Sequence, residues 1–169
     1  MAETKSNATA QAIQATLTAH LSEFITLPAA PDNTLKYHLQ SGIMEMTASM
    51  APAIWIDDKG STQGDASGSG AGDAILPGYS EDEYRFDIEI WLKYRKGEDA
   101  RDGLNEWRDA VQACLNAYWH LGDASRRYEC FASEGDPAIE GPGASDDTLW
   151  VSTVRATVRV MVAAGSATL

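Results

Sequence analysis

Between Glu83 and Arg95 the chain changes side-chain character at every step. Tyr84, Phe86, Ile88, Ile90, Leu92 and Tyr94 fall on one parity, and Arg85, Asp87, Glu89, Trp91, Lys93 and Arg95 on the other. A period of two is what a strand needs when one face of its sheet is buried and the other is not, because successive side chains point to opposite sides. A helix would scatter the six apolar groups around its circumference. The stretch Leu149 to Ala163 repeats the device: Trp150, Val154, Ala156, Val158, Val160 and Val162 share a face, opposite Thr153, Arg155, Thr157 and Arg159. Two long one-sided strands require an apolar layer to cover them, and this excludes an all-helical chain.

The covering layer is legible as helices. From Ala8 to Ile25, Ile13, Leu17, Leu21 and Phe24 recur at spacings of four and three, with Asn7 placed to cap the first turn. After Gly97, the acids Glu98, Asp99 and Asp102 precede a stripe of Leu104, Trp107, Val111, Cys114, Leu115 and Tyr118 that closes at Gly122. Acids at the start and glycine at the end suit the helix dipole and the left-handed stop. Thr34 to Met46 reads as a second short helix on Leu35, Leu39, Ile43 and Met46, weakened by Gly42. Ala53 to Asp57 and Arg126 to Ala132 read as short strands. The expected fold is α+β: one domain over residues 1–169, an antiparallel sheet of about four strands, and two main helices packed on one face.

Charge divides the chain further. Its 25 acids against 13 bases give a net charge of −12, a field that repels nucleic-acid phosphates. Residues 57–83 hold seven acids against Lys59 alone, and residues 129–147 hold six acids and no base, so the remaining chain is balanced at 12 against 12. Both segments are rich in Gly, Pro, Ser and Asp, which marks them as loops; the first is expected as a long flexible acidic loop at about 58–82. Its Asp57, Asp58, Asp65 and Asp73 lack the alternating spacing and terminal Glu of a calcium loop. They are candidates for a surface that lines a channel or meets a partner.

No catalytic constellation emerges. His20, His38 and His120 have no second ligand at a metal-binding offset, and there is no nucleophile elbow and no phosphate-binding glycine loop. Cys114 and Cys130 lack ligand spacing and read as buried thiols. No catalytic, cofactor-binding or metal-binding residues are therefore assigned, and no cofactor is expected. No leader-like segment and no run of 18 apolar residues occurs, so neither export nor a membrane span is expected. The distinctive surface is the second face of the two long strands. Arg85, Asp87, Glu89, Trp91, Lys93, Arg155 and Arg159 put an aromatic among mixed charges, as subunit interfaces do; the competing reading is a solvated face with one exposed Trp.

Taken together, the helix from Ala8 to Ile25, the strand Pro52-Ala-Ile-Trp-Ile-Asp57, the alternating strand Tyr84 to Leu92, the helix from Ala100 to Leu121 and the closing strand Trp150 to Val160 resemble the tail terminator (tail completion) proteins of tailed bacteriophages. The resemblance covers most of the chain and rests on pattern, not on a signature motif. It implies a non-enzymatic virion protein of the tail or neck, made in the host bacterial cytoplasm. Six copies of such a protein close as a ring on the tail tube, stop its polymerisation and meet the head-side connector or stopper protein, while DNA only passes through the lumen. The nearest alternative is another head–tail joining protein, a stopper or adaptor. A small α+β ligand-binding module or enzyme belongs to a different class.

Overall fold

The computed structural model describes residues 5–27, 34–40, 50–63, 79–95, 100–123, 127–140 and 147–163. Helix α1 (Lys5–His20) runs into a 3-10 turn (Leu21–Glu23); then come β1 (Lys36–Gln40), β2 (Ala53–Gln63), β3 (Tyr79–Arg95), α2 (Ala100–Ala117), β4 (Tyr128–Glu134), β5 (Ile139–Glu140) and β6 (Asp147–Ala163). All six strands belong to one sheet with the order β1-β2-β3-β6-β4, and β5 pairs with β6 beside β4. The central ladder joins β3 to β6 in unbroken antiparallel register from Tyr79↔Ala163 to Arg95↔Asp147.

This corrects the expected sheet in two respects. Among the described residues it has six strands, not about four, and it is mixed, because β1 pairs parallel to β2 from Lys36↔Ala53 to Gln40↔Asp57. The segment expected as a helix from Thr34 supplies β1, with Tyr37 and Leu39 packed against the core. Its later residues, 41–46, lie outside the described residues. The expected acidic loop gives way to strand at both ends: β2 continues to Gln63 and β3 begins at Tyr79, so Asp57 and Asp58 are strand residues, and 64–78 lie outside the described residues. Asn7 lies inside α1, not before it.

Both helices pack on one face of the sheet, α1 over β1, β2 and β3 and α2 over β3, β4 and β6. The buried layer between them combines Ile13, Leu17 and Leu21, then Leu104, Val111 and Leu115, with Ile54, Ile56, Phe86, Ile88, Ile90, Val154 and Val158 from the strands. Each such side chain contributes about 1.5–3 kcal/mol by leaving water, so the apolar parity of β3 and β6 fixes their register. On α1 the buried stripe includes Thr9 and Thr16, whose hydroxyls donate to the carbonyls of Lys5 (2.8 Å) and Ala12 (2.9 Å) one turn back. Those bonds let a hydroxyl be buried without an orphaned donor. Beyond Ala117, Leu121 and Gly122 adopt left-handed φ of 49° and 73° and turn the chain back toward β4.

Candidate interaction surface

Among the described residues no helix covers the second face of the sheet. Because β3 and β6 alternate strictly, every residue of odd number from Glu83 to Lys93 and from Leu149 to Arg159 points there. The seven residues singled out from sequence are thus brought onto one surface. Arg155 stands opposite Asp87 and Arg159 opposite Glu83 in the ladder, and Arg85 stands opposite Thr157 between them.

The ion pairs on this face are internal. The Arg155 guanidinium lies 3.1 Å from Asp136, Arg85 lies 3.1 Å from Glu83, and Arg159 lies 3.5 Å from Glu81 and 3.7 Å from Glu83. These side chains are largely in water, where each pair is worth between zero and about 1 kcal/mol, so they set charge pattern more than stability. Trp91 is half-buried and donates its indole N–H to Glu89 Oε2 at 2.9 Å. Lys93 is exposed at the end of the same row.

Asp57 and Asp87 face one another across β2 and β3, an arrangement of like charges that would repel. Lys59 resolves it, with Nζ 2.6 Å from Asp57 and 3.6 Å from Asp87. The bond to Asp57, then the field of both carboxylates, raises the Lys59 pKa above its ordinary value. Asp58 points to the other side of the sheet: it accepts from the Ser6 hydroxyl of α1 and from the Gly60 N–H at 2.8 Å. Asp57 and Asp58 therefore do not form one acidic surface, and Asp65 and Asp73 lie outside the described residues.

The sequence reading missed the apolar groups on this surface. Phe131 (52% exposed), Ile139 (57%) and Met161 (40%) all lie on the helix-free side, on β4, β5 and β6. The Arg159 guanidinium sits 5.8 Å from the Phe131 ring centre. Alternation within Tyr128-Glu-Cys-Phe-Ala132 already set Phe131 apart from the buried Tyr128, Cys130 and Ala132; β5, two residues long, has no pattern to read. On the same face, toward the β1 edge of the sheet, Trp55 stands opposite Glu89 and is buried against His38, with ring centres 4.8 Å apart. His38 is thus a strand residue, not a helical one.

The β4 edge is closed by the chain itself. The Asn116 side chain on α2 accepts from Ala132 N–H (2.9 Å) and donates to Ala132 C=O (3.1 Å), and the Trp119 carbonyl accepts from Cys130 N–H (2.8 Å). Beside this closed edge Trp119 and Phe131 border a cleft of about 390 Å³, completed by Asn116, Glu129 and Cys130. Among the described residues no group of three His, Cys, Asp or Glu side chains is placed to hold a metal ion. His20 instead stacks on Tyr118 (3.7 Å) and bonds Glu23 (2.7 Å), and His120 accepts from Gly122 N–H (3.2 Å). No helix of the described residues is long and apolar enough to cross a membrane. No protein-family model matches the chain, and no curated protein matches it.

Proposed function

We propose that the chain is a structural subunit of a tailed-phage virion, a tail terminator that closes as a homohexameric ring on the last ring of the tail tube. The observation that carries the reading is the helix-free sheet face: three large apolar side chains stand among a ladder of both charge signs on a rigid six-stranded platform. Surfaces of this composition suit contact between subunits, since the apolar groups gain by leaving water and the mixed charges fix register and partner. The element pattern that resembles terminator proteins supplies the specific partner class. Ring closure over the tube end would block addition of the next tube subunit mechanically, and the upper rim would receive the connector or stopper.

The test is assembly. Light scattering behind size exclusion, and negative-stain images, should show six-fold rings alone or on adding tail tube protein, and tube polymerisation should stop at the length at which the protein is added. A chain that stays monomeric and leaves tube growth unchanged would overturn the reading.

A further inference from the structure

Toward β4 the helix-free face holds one carboxylate more than its bases engage. Glu83, Arg159 and Glu129 form one row across β3, β6 and β4. Arg159 reaches to Glu81 and Glu83, and Arg85 also takes Glu83. Arg127, two residues before Glu129, is held by Asp123 at 2.9 Å. Glu81, Glu83 and Glu129 thus share the guanidiniums of Arg85 and Arg159, and Glu129 is the one that no described base reaches. That carboxylate lines the cleft of about 390 Å³ beside β4 and is its only charged group. Glu129 and Phe131 share the exposed parity of the strand, and Trp119, 38% exposed, stands where its carbonyl receives the Cys130 N–H. The Asn116 amide is already bonded to Ala132, and Cys130 is buried. Arg159 does not line the cleft, yet its guanidinium lies 5.8 Å from the Phe131 ring centre, so this ring already receives one guanidinium within the chain.

We propose that the Trp119/Phe131/Glu129 cleft is a recognition site for the guanidinium of an arginine presented by a partner protein other than this chain. The two aromatic side chains attract a delocalised cation, and its planar fork matches the open Glu129 carboxylate. An ammonium gains the charge but neither the stacking nor the fork. Recognition is by side chain because the strand edge is closed: the Cys130 N–H and both backbone groups of Ala132 are bonded to Trp119 and Asn116, which leaves them nothing to offer an added strand. Phe131 and Glu129 also belong to the helix-free face, so a protein lying on that face reaches the cleft over the β4 edge. A second copy is the poorer donor, since Arg85, Arg108, Arg127, Arg155 and Arg159 are each engaged by a carboxylate of their own chain. The inference goes beyond the ring reading and stands without it.

The probe is the end-blocked tripeptide Gly-Arg-Gly, titrated into the isotope-labelled full chain and followed by NMR through the Trp119 indole resonance, which Trp119→Phe identifies by its loss. The resonance should move saturably, with half-saturation at roughly millimolar peptide. Replacing the arginine by citrulline, which keeps the shape and removes the charge, should weaken binding by about 5-fold or more, as should Glu129→Gln and Phe131→Leu. Glu140→Gln removes another exposed acid, on β5, and should change nothing. Matching circular dichroism and melting curves show that each variant is folded. A citrulline or lysine peptide that binds as well as the arginine peptide would overturn the assignment, and so would a Glu140→Gln variant as weak as Glu129→Gln. A Trp119 resonance unmoved at about 50 mM peptide would also overturn it. Self-association that Glu129→Gln abolishes would make a second copy the donor and overturn the choice of a different protein. Loss of the peptide site leaves the ring reading standing, because six-fold rings and the arrest of tube growth are measured separately.

Discussion

The Lys5 ammonium stands 3.1 Å from Asp82 Oδ2, joining the first turn of α1 to a strand residue 77 positions further along the chain. Asp82 is only 3% exposed, its Oδ1 has no partner among the described residues, and the Tyr84 hydroxyl reaches Oδ2 only at 3.4 Å. A buried carboxylate held by one cation depends on it, because removing one partner of a buried pair leaves a desolvated charge. Lys5→Met should therefore cost about 3 kcal/mol in urea unfolding. Combining it with Asp82→Asn should restore most of the loss. A single variant within 0.5 kcal/mol of wild type, on the order of an ordinary surface change, would show the pair to be incidental.

Alkaline pH should loosen the fold through three groups. Burial pushes the Cys130 thiol from 9.0 to about 12; burial, then the charge of Glu23, pushes Cys114 to about 11. Burial, then Asp82, pushes the Tyr84 phenol from 10.0 to about 12. Each group keeps its proton longer in the folded chain than in the unfolded one. Their contribution is thus whole below about pH 9 and is lost as pH rises toward 12. Urea midpoints should fall steadily from about pH 9 upward, and Tyr84→Phe should make the decline above about pH 10 shallower. At about pH 8 neither thiol should react with Ellman's reagent until denaturant is added.

Asn116→Ala should open the β4 edge. Two hydrogen bonds to Ala132 disappear together, and the freed N–H and C=O become a template for another strand. The expected cost is about 1–3 kcal/mol, accompanied by rising light scatter on mild heating. Asn116→Asp keeps the acceptor and should scatter less. Equal scatter from both variants would remove the edge from the explanation.

Gly135 is where the chain leaves β4 and folds back on β6. A Cβ there would lie 2.5 Å from the Thr153 carbonyl oxygen and 2.8 Å from its carbon, both backbone atoms of a central strand. Gly135→Ala should therefore destabilise by about 1–3 kcal/mol and disturb the bond from Gly135 N–H to Thr153 C=O. Gly103 makes the contrast: a Cβ there meets only the end of the Tyr94 side chain, which can move, while the helix gains propensity. Gly103→Ala should be near neutral by thermal melting, and an equal loss at both positions would refute the distinction.

The two long strands and both helices were legible because their apolar spacing is dictated by the core they share. The register of β3 on β6 follows from parity, which also places Arg85, Asp87, Arg155 and Arg159 on one surface. Phe131 carried a signal in the alternation of β4, but most of what escaped the reading had none. The spacing of Leu35 and Leu39 fits a helix, but parallel pairing with β2 overrides that propensity and turns Tyr37 and Leu39 to the core. The polar run Asp57 to Gln63 looks like loop, yet its backbone is paired by β3, from Asp57↔Asp87 to Gln63↔Asp82. Asp82 itself continues the buried parity of Tyr84 and Phe86, and no alternation rule assigns an aspartate to a core face.

The β3–β6 ladder also sets the order in which the molecule can come into being. Its paired residues are between 52 positions apart, at Arg95↔Asp147, and 84 apart, at Tyr79↔Ala163. Contacts of such long range raise the entropy of closure and slow folding, toward the millisecond-to-second range of sheet-rich domains. On the ribosome, α2 is synthesised whole before the central strand that must flank β3 exists. Until about residue 163 has emerged, β3 and β4 have no partner between them. The sheet is therefore completed in a single late step, after translation of β6, and a nascent chain that ends before it exposes the unpaired edges of both β3 and β4.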